Sequence, residues 1–576
     1  MARPSPLRRL LGAVILPLLA ATACGGAVGV GDRPPAPPAA ATAGNDPYLA
    51  IIAHSQDLGP VAADLPLSTV LQLRDDSQGR LSHDVAAMYD PSSPNYAHFL
   101  TPAEYAARYG PQPGEINAVR GYLAAHGISV DWQQGNSWLV AAGPAAAMES
   151  TFGIDVRWYR ALDGTRFFAA VRDLRVPAGL TGQVLGASRV TNYQPDKFAI
   201  PVGGLTPTDV LAAYDVSALR DAAGDGSGQT IVVWGLDGYL QSDLDQFTQK
   251  YALPPIAVTD APQSAPHIQT KKGGPENEMD IEVVHLLAPG AKLVIWNSNQ
   301  NIRTIADFVN DLSKAVDSYP GAIFSHSWGL CDKIIGQAGA QAVEQVAEKA
   351  ASLGETHAAG TGDMGGYDCM RNAQVWGQPP DPKLISSVIP ASAPGFLAVG
   401  GTRLSVRQDS TWLDEVAWEH PDAFLGGGGS ISPFFPQPSW QTGPGTQNQF
   451  NKNHNRTIPD VAADADDVSG ISVFSQGNWG MGNGTSQAAP IWAGIITLID
   501  AYLVKNHLKP VAFVNPALYA IAAGKPAFPA FHDITVGGNF VYPCTPGYDI
   551  ATGIGSPDAW NLARDLADYE KNGGKV

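Results

Sequence analysis

Short β-branched or aliphatic runs alternate with helix-like segments from Leu205 onward, and this alternation constrains the fold more than any other feature of the chain. The runs are "QTIVVWG", "AKLVIWN", "AIFSHSWG", "ETHAAGTGD" and "FLAVGGT". Strands that alternate with helices predict an α/β fold in which helices cover both faces of a parallel sheet. In such folds ligands bind beyond the carboxyl ends of the strands, so we expect the functional residues there.

A second, smaller folded unit is predicted upstream of this pattern, within residues 47–191. Helix-like segments such as "PGEINAVRGYLAAHG" alternate there with strand-like runs such as "SWLVAAG" and "GIDVRWYRA", which is typical of a small α+β domain. At 576 residues, with 44% hydrophobic and 16% charged residues, the chain is long and apolar enough for two such units. Residues 192–204, "NYQPDKFAIPVGG", predict an exposed connector where the chain can be cut.

The first 24 residues, "MARPSPLRRLLGAVILPLLAATAC", have the pattern of an export signal. Arginines precede an apolar run and then small residues, and the run is shorter than the roughly 20 apolar residues of a membrane span. We therefore expect a secreted protein. The end of this segment resembles a lipoprotein cleavage box, with Ala21 where a larger aliphatic residue is usual, so a lipid anchor at Cys24 on the outer face of the membrane is the alternative. Residues 25–46 are rich in Pro, Ala and Gly and predict a flexible tether.

The chain is acidic, since 54 Asp and Glu against 36 Lys and Arg give a formal charge of -18. That charge argues against nucleic acid as the main partner. An acidic surface also suits an acidic medium, where partial protonation of the carboxylates lowers the self-repulsion of the surface.

Three cysteines remain for the mature chain, because Cys24 is either removed with the signal or lipidated. At most one disulfide can therefore form within the chain. Cys331 and Cys369 are the favoured pair because both lie near the predicted edge of the active site. Cys544 is then the odd thiol.

The stretch "GNGTSQAAPIWAG" places Ser486 between a glycine-rich approach and a helix-like segment. A serine near a helix N-terminus gains from the helix dipole when negative charge develops on it. A serine hydroxyl becomes a nucleophile only when a neighbouring base takes its proton, and otherwise Ser486 is a plain helix cap. The sequence supports the first role only if it supplies that base.

A helix within "GGPENEMDIEVVHLLAPGA" offers two carboxylates as candidates for the base. At 100° per residue, Glu276 and Asp280 fall within about 40° of each other, on the same face as most apolar residues of the helix. Carboxylates on an apolar stripe are costly unless they are paired or functional. Glu278 and Glu282 lie on the opposite side, together with His285, and we expect this side to be a solvated acidic face.

Seven segments together resemble the sedolisin (serine-carboxyl peptidase) family and follow one another in that family's order. They are "ENEMDIE", "SHSWG", "TGDMGG", "VIPASAPGFLAVGGT", "GGGGSISPFFPQPSWQ", "RTIPDVAADAD" and "GNGTSQAAPIWAG". Upstream, "SSPNYAHFLTPAEYAARYG" resembles the family's propeptide. The resemblance implies a pro-kumamolisin-like precursor with a ferredoxin-like propeptide domain over residues 47–191, a processing linker over 192–204 and a subtilisin-like catalytic domain over 205–576.

The resemblance also implies roles for four side chains. Ser486 corresponds to the nucleophile, Glu276 to its general base and acid, and Asp280 to the second carboxylate behind Glu276. Asp363 in "TGDMGG" stands where subtilisins present an oxyanion-hole asparagine; on residue type alone it is a turn-forming aspartate among glycines. An aspartate donates a hydrogen bond only while protonated, and reference carboxyl pKa values of ~3.9 to ~4.3 place that condition at low pH.

The segment "SHSWG" resembles the substrate-aligning edge of the family, which implies that Ser327, Trp328 and Gly329 bind substrate. The alternative for the tryptophan is a place in the core. One departure concerns the end of the first catalytic-domain strand, where kumamolisin-type relatives extend the relay with a further glutamate. Trp234 or Gly235 stands there in this chain, which puts a fully extended proton network in doubt.

A calcium site is implied near the C-terminus by "HDITVGGN" and "CTPGYDIATGIGSP". Calcium takes six or more oxygen ligands, and two carboxylates with carbonyls from glycine-rich loops can supply them. A lone pair of aspartates is more often turn chemistry. The resemblance implies one structural Ca²⁺ bound by the side chains of Asp533 and Asp549 and by the backbone oxygens of Ile534, Thr545 and Gly547.

These observations predict an exported zymogen that hydrolyses peptide bonds in acid through an acyl-enzyme at Ser486. An endopeptidase is favoured, with a tripeptidyl-peptidase as the alternative. The expected partners are peptide or protein substrates and the chain's own propeptide as an intramolecular inhibitor, and a monomer is expected. Two other hypotheses stay open. One is a binding protein on the same scaffold, which usually loses a catalytic side chain; the other is a neutral-pH subtilisin-type peptidase, which the lack of a His-Gly-Thr-His segment disfavours.

Overall fold

The computed structural model describes residues 46–74, 78–161, 166–193, 204–266, 275–298, 302, 304–370, 382–421 and 423–575. The predicted export signal with Cys24 and the tether up to residue 45 lie outside the described residues. Residues 194–203 of the predicted processing linker also lie outside them.

The upstream domain mixes helices and antiparallel strands. Its helices are α1 Pro47–Ala53, α2 Gln78–Met88, α3 Pro102–Tyr109, α4 Pro113–Ala125 and α5 Ala145–Phe152. Its strands are β1 Gln56–Pro60, β2 Pro66–Leu73, β3 Ser129–Asp131, β4 Trp138–Pro144, β5 Val156–Arg160, β6 Arg166–Ala170 and β7 Val184–Ala187.

Two antiparallel sheets organise this domain, in the orders β3-β4-β2-β7 and β1-β5-β6. With α4 between β2 and β3 and α5 between β4 and β7, the first sheet follows the β-α-β-β-α-β path of ferredoxin-like domains. Val119 and Leu123 of α4 and Met148 of α5 are fully buried in one apolar core with the sheet. The predicted small α+β domain is therefore confirmed.

The downstream domain carries the long helices. They are α6 Pro207–Ala213, α7 Val216–Ala223, α8 Gln241–Tyr251, α9 Glu276–Leu287, α10 Ile305–Ser318, α11 Asp332–Ser352, α12 Thr485–Lys505, α13 Asn515–Ala523 and α14 Ala559–Lys571. Capping supports several of these starts. At α10, Thr304 accepts a hydrogen bond from the Asp307 amide while the Asp307 side chain accepts from the Thr304 amide.

The strands of this domain form one large sheet and several short two-stranded sheets. They are β8 Thr230–Gly235, β9 Val258–Asp260, β10 Lys292–Asn297, β11 Ile323–His326, β12 Leu330–Cys331, β13 Thr356–Gly360, β14 Val388–Ile389, β15 Leu397–Val406, β16 Trp412–Ala417, β17 Glu419–His420, β18 Leu425–Gly426, β19 Ser430–Pro436, β20 Asn455–Ile458, β21 Val461–Asp464, β22 Ser472–Ser475, β23 Asn478–Met481, β24 Phe531–His532 and β25 Ser556–Pro557.

The large sheet has the order β16-β15-β13-β11-β8-β10-β9, and β21 pairs with β15 beside this path. Neighbouring strands are parallel except for β16, which runs antiparallel to β15. Side chains of β8 alternate between two apolar layers, with Ile231 and Val233 in one and Val232 and Trp234 in the other. The sheet is covered on both faces, as the sequence predicts.

Helices α7, α9, α12 and α14 contribute to the first apolar layer, and α10 and α11 to the second. Helix α12 lies across β11, β13, β15 and β21. It is also the described helix whose length and apolar composition would suit a membrane span, but 89% of its apolar window is buried inside the protein. Burial against the sheet accounts for its composition.

The upstream domain packs against the second layer, with strand β2 on α10 and α11 and helix α2 on α11. Val70 and Trp138 share one apolar cluster with residues of both helices. The contact is also polar, because Lys349 of α11 pairs with Asp317 at 2.7 Å and its Nζ lies 3.4 Å from Asn136 Oδ1 of the upstream domain. The contact between the two domains therefore buries polar and apolar side chains of each domain.

Candidate active site

The predicted functional residues meet at the carboxyl edge of the large sheet. Ser327 directly follows β11, and Asp363 lies three residues after β13. Helix α12 begins at the same edge, with Ser486 as its second residue. In parallel α/β sheets, ligands bind at this edge.

Ser486 lies at the N-terminus of α12, as predicted. The preceding Gly484 has a φ of 79°, in the left-handed region that glycine tolerates, and this turn presents the start of the helix to the cavity. The Ser486 hydroxyl lies 3.3 Å from the carbonyl oxygen of Ser327, to which it donates a hydrogen bond. The N-terminal amides of α12 favour negative charge at this hydroxyl.

Glu276 and Asp280 lie on the face of α9 that is directed toward the nucleophile helix. Glu276 lines the same cavity as Ser486 and is 9% exposed, whereas Asp280 is fully buried. The Ser327 hydroxyl donates to Asp280 Oδ1 at 2.9 Å and lies 3.1 Å from the Ser486 carbonyl oxygen. Ser327 therefore connects the second carboxylate to the backbone of the candidate nucleophile, a link that the sequence did not indicate.

The expectation of a solvated acidic face on the other side of α9 is wrong. Glu278 is 3% exposed and Glu282 is fully buried, because the hairpin β22–β23 covers them. Glu278 accepts hydrogen bonds from the Leu240 amide at 2.8 Å and from the Ser475 hydroxyl, and Glu282 accepts from the Phe474 amide at 2.9 Å. Burial raises the pKa of both carboxyls above the ordinary value, and that of Glu282 strongly.

Asp363 lies against the first turn of α12. Its Oδ1 accepts hydrogen bonds from the Thr485 amide at 2.8 Å and from the Thr485 hydroxyl at 3.1 Å. A Cβ atom at Gly484 would lie 3.1 Å from both oxygens of this carboxyl and would crowd it, and the φ of 79° at this position also favours glycine. Asp363 also lines the cavity with Ser486 and Glu276, which brings three of the four predicted catalytic side chains to one cavity.

Asp368 is a residue of this site that the sequence reasoning missed. It is 7% exposed, and its Oδ1 accepts hydrogen bonds from the amides of Asp363 at 2.9 Å and Met364 at 3.1 Å. Its position in the sequence could have pointed to this role, because Asp368 lies five residues after Asp363 in the same glycine-rich loop and directly before Cys369.

The predicted disulfide between Cys331 and Cys369 is confirmed, with 5.0 Å between the two Cα atoms. Both cysteines line the cavity.

Cys544 is free and buried beside Thr552, and burial raises the pKa of its thiol.

The segment Ser327–Gly329, for which a substrate-aligning role is predicted, lines the cavity. Trp328 is half-buried and packs against the second apolar layer, so it serves both as cavity wall and as core. A Cβ at Gly329 would lie 2.2 Å from Val388 Cγ1, which explains the glycine. The cavity has a volume of about 190 Å³.

At the end of β8, the position of the missing glutamate, Trp234 points into the second layer and lines the cavity. Its indole donates a hydrogen bond to Asp311 Oδ2 at 2.9 Å, and Trp296 donates to the same oxygen at 2.9 Å. Burial raises the pKa of Asp311. The strand end thus contributes an indole held by Asp311 in place of a relay carboxylate.

Three residues at the end of the upstream domain also line the cavity: Arg189, Thr191 and Tyr193. The Arg189 amide donates to the Ile335 carbonyl of α11 at 3.1 Å, and its guanidinium binds Asp46 and Asp173 at 2.7 Å each. The end of the upstream domain therefore lies against the site that it is predicted to inhibit.

The residues of the predicted calcium site lie together at the C-terminal loops. The Gly547 amide donates to Asp533 Oδ2 at 2.9 Å, and the Thr545 amide donates to Asp549 Oδ2 at 3.0 Å. The carbonyl oxygens of Ile534, Thr545 and Gly547 accept no hydrogen bond from any described residue. Two carboxylates and three uncommitted carbonyls on one loop pair are a donor set that fits Ca²⁺.

Comparison with known families and proteins agrees with this geometry. The chain matches the family model of the pro-kumamolisin activation domain over residues 53–193 and that of the subtilase family over residues 271–513. It is 30% identical over 548 residues to kumamolisin from Bacillus sp. (strain MN-32), covering 88% of this chain and 93% of the relative. It is 26% identical over 552 residues to tripeptidyl-peptidase 1 from Rattus norvegicus, with the same two coverages of 88% and 93%.

Among solved structures, the chain is similar to Pseudomonas sedolisin, a serine-carboxyl proteinase in complex with two molecules of pseudo-iodotyrostatin. The TM-score is 0.56 at 25% sequence identity, and the match covers 65% of this chain and 99% of the other.

Proposed function

Because the chain belongs to the sedolisin family of serine-type peptidases, we propose that it is an exported zymogen that cleaves peptide bonds in acid with Ser486 as nucleophile. One observation carries this proposal: Ser486, Glu276 and Asp363 line a single cavity at the N-terminus of α12, with the end of the propeptide domain on its wall. A binding protein on a retired scaffold gains no support, because each side chain of the proposed machinery is present.

In the proposed reaction, Glu276 takes the proton from the Ser486 hydroxyl as the oxygen attacks the substrate carbonyl. The resulting oxyanion accepts a hydrogen bond from the protonated Asp363 carboxyl, and the dipole of α12 favours its charge. Glu276 then donates the proton to the leaving amine, and water hydrolyses the acyl-enzyme by the reverse transfers. Asp280 orients Glu276 and shares its proton, as expected for two carboxylates one helical turn apart.

Acid is required because the two carboxyls need different protonation states. Asp363 must carry a proton to donate, while Glu276 must accept one from Ser486. Thr485 holds Asp363 Oδ1 with two donors, so we place the donated proton on Oδ2. This arrangement predicts that activity is lost when the pH rises from acid to neutral.

The proposed activation is an acid-triggered cut within residues 192–204. Tyr193 lines the cavity, and Leu205 forms a bridge with Ile471 through two hydrogen bonds of 2.8 Å. A cut between these two points would free the propeptide while the new N-terminus stays paired with the catalytic domain. The proposed window thus begins at the cavity of the nucleophile.

The proposal is tested by acidifying the purified precursor and its Ser486→Ala variant to about pH 4, where reference carboxyls are half titrated. Wild type is expected to lose about the first 200 residues and then to cleave peptides, whereas the variant does neither. Processing that is unchanged between neutral and acid pH, or equal in the variant, would overturn it. A subtilisin-type enzyme would instead be active near pH 8 with a neutral histidine base.

We favour an endopeptidase, with a tripeptidyl-peptidase as the alternative. The relative whose name states a tripeptidyl-peptidase is the less similar of the two reported relatives, since the chain is 30% identical to kumamolisin and 26% identical to tripeptidyl-peptidase 1. The distinguishing substrate is one peptide prepared with a free and with an acetylated N-terminus. An endopeptidase cleaves both forms at internal bonds, while release of the first three residues from the free form alone would establish the alternative.

For the calcium site we propose a structural role, in which Asp533 and Asp549 with three carbonyls hold one Ca²⁺ and tie the C-terminal loops together. A chelator is expected to lower the melting temperature of the mature enzyme, and Ca²⁺ in excess to restore it. Asp549→Asn should remove most of this response. A melting temperature that is indifferent to both treatments would refute the site.

For localisation we propose export, with either a free secreted form or a lipid anchor at Cys24. Detergent partition of the precursor from its native host decides between them. A Cys24→Ala variant should leave the detergent phase if the anchor exists, and the wild type should never enter it if the protein is freely secreted.

A further inference from the structure

We propose that Asp368 and the Cys331–Cys369 disulfide act together as a positioning device. They fix the Asp363 carboxyl relative to the substrate-aligning edge Ser327–Gly329. This inference rests on the proposed function of Asp363 as the oxyanion donor. Asp368 and the disulfide act through Asp363 and are positioning residues.

Asp368 shapes the loop that presents Asp363. Its Oδ1 accepts from two consecutive amides, those of Asp363 at 2.9 Å and Met364 at 3.1 Å. Gly362 has a φ of 100°, and a Cβ there would lie 2.2 Å from the same oxygen. The backbone of Gly362 to Met364 therefore wraps around one buried carboxylate oxygen, which sets the direction of the Asp363 side chain.

The disulfide links this loop to the segment Ser327–Gly329, which also lines the cavity. Cys369 directly follows Asp368, and Cys331 lies two residues after Gly329, at the end of strand β12. Strand β12 pairs with β14, with Cys331 opposite Val388, and the Cys369 amide donates to the Ser386 hydroxyl at 3.2 Å. One covalent bond thus joins the oxyanion loop and the substrate edge across 38 residues of sequence.

The disulfide matters for the reaction rate because catalysis tolerates little change in the distance between the Asp363 donor and the oxyanion. A hydrogen-bond donor stabilises an oxyanion only at about 2.7 to 3.1 Å, and a displacement of about 1 Å in a reacting group can cost roughly 10²-fold in rate. Thr485 also holds Asp363, and α12 is joined to Ser327 of the substrate edge by hydrogen bonds of 3.1 and 3.3 Å through Ser486. The disulfide is the covalent element between the oxyanion loop and the substrate edge.

The propeptide shields this bond in the precursor. Cys331 is 9% and Cys369 is 2% exposed, and both belong to an apolar cluster that contains Tyr48, Phe167 and Tyr193 of the upstream domain. Removal of the propeptide uncovers the disulfide at the edge of the cavity. A reductant should therefore act faster on the mature enzyme than on the precursor.

The first experiment reduces the folded mature enzyme with a water-soluble phosphine. The Sγ–Sγ bond takes up two electrons and two protons to give two thiols, and the phosphine is oxidised to its oxide with oxygen from water. We expect kcat to fall about 10-fold or more while KM changes little, since the substrate edge itself remains. Thiol titration after denaturation should count two additional thiols per chain.

Variants separate this role from general folding. Cys331→Ser paired with Cys369→Ser should reproduce the loss and abolish the response to reductant, while Cys544→Ser, the matched control, should keep both activity and response. If the bond resists reduction in the folded enzyme, the paired serine variant decides. Asp368→Asn retains an acceptor oxygen and should preserve most of kcat, whereas Asp368→Ala should not.

Several results would overturn the inference. A kcat within about twofold of wild type in both the reduced enzyme and the paired serine variant would do so, as would equal losses in Asp368→Asn and Asp368→Ala. The proposed function fails separately, if Asp363→Ala, which has no donor for the oxyanion, keeps full activity in acid. A loss in Asp363→Ala together with an unaffected reduced enzyme would reject only the positioning role.

Discussion

Helix α9 carries two pairs of carboxyls with identical four-residue spacing and opposite surroundings. Glu276 and Asp280 are directed toward the cavity and the start of α12, where the bond from Ser327 reaches Asp280. Glu278 and Glu282 are directed toward the hairpin β22–β23 and accept hydrogen bonds from its backbone and from Ser475. In our proposal the first pair provides a base for the Ser486 hydroxyl, whereas the second pair accepts hydrogen bonds from backbone amides and from the Ser475 hydroxyl.

The comparison teaches that burial alone does not mark a catalytic carboxyl. All four side chains are at most 9% exposed. Burial raises the pKa of Glu278 and of Glu282, and neither is catalytic in our proposal. A buried carboxyl that is surrounded by backbone donors is a structural acceptor. A catalytic one must also reach a reacting atom.

The largest expected effect separates the first members of the two pairs. Glu276→Gln should lower kcat/KM by about 10²- to 10⁴-fold, because the amide cannot take the proton of Ser486. Glu278→Gln should stay close to wild type, since the amide oxygen can still accept from the Leu240 amide. Steady-state assays at the acid optimum check this, and equal losses in both variants would erase the proposed distinction.

Substitutions of Asp280 and Glu282, the second members of the two pairs, should also differ in their effect on kcat, but by less. Asp280→Asn keeps the shape and the bond from Ser327 but loses the carboxylate that orients Glu276, so we expect a loss of about 10²-fold in kcat. Glu282→Gln is the matched variant on the other face and should leave kcat unchanged. The finding that would count against the proposal is a pH–rate profile of Asp280→Asn identical to that of wild type.

Stability against pH should reveal the structural pair. Because the folded-state pKa of Glu282 is raised above its unfolded value, its contribution is present below the unfolded pKa and is lost as the pH rises through the folded pKa. The free energy of unfolding of wild type should fall with pH above about 4.3, by up to about 1.4 kcal/mol per pH unit for this one proton.

The variant Glu282→Gln should remove that part of the slope. Asp332, Asp464 and Asp500, whose pKa values burial raises to about 7, add slopes of the same sign and remain in the variant. Denaturant unfolding of wild type and variant at pH 4 and pH 7 measures the difference. The sign is contradicted if the free energy of unfolding of the variant, relative to that of wild type, does not rise between pH 4 and pH 7.

The smallest expected effect tests the covering hairpin. Ser475→Ala removes one donor to Glu278 and should lower the free energy of unfolding by about 0.5 to 1.5 kcal/mol without changing kcat. Denaturant melts and an activity assay on the same preparation provide both numbers. A clear loss of kcat would mean that the two faces of α9 are coupled.

Much of this arrangement could be predicted from sequence, because it depends on local pattern. The alternating runs from Leu205 onward predicted the parallel sheet. The helical period placed Glu276 and Asp280 on one side, and the glycine-rich approach placed Ser486 at a helix start. The favoured pairing of Cys331 with Cys369 also agrees with the structure.

The rest depends on segments that are distant in sequence. The hairpin that buries Glu278 and Glu282 lies about 190 residues after α9, and helical period cannot reveal which outward face a later segment covers. Asp368 supports the Asp363 loop only through the turn that folds it back on two amides. The indole of Trp234, on strand β8, donates a hydrogen bond to Asp311 on helix α10, 77 residues later in the chain.

The sequence by itself determined which residues are candidates for the chemistry and which face of its helix or strand each one occupies, since period and residue type are local properties. The tertiary structure alone decided which buried carboxyls lie toward the cavity and which accept hydrogen bonds from backbone amides. It also decided that the end of the propeptide domain lies on the cavity wall. Both outcomes follow from long-range packing, because a buried polar group takes its role from the donors and acceptors that other segments bring to it.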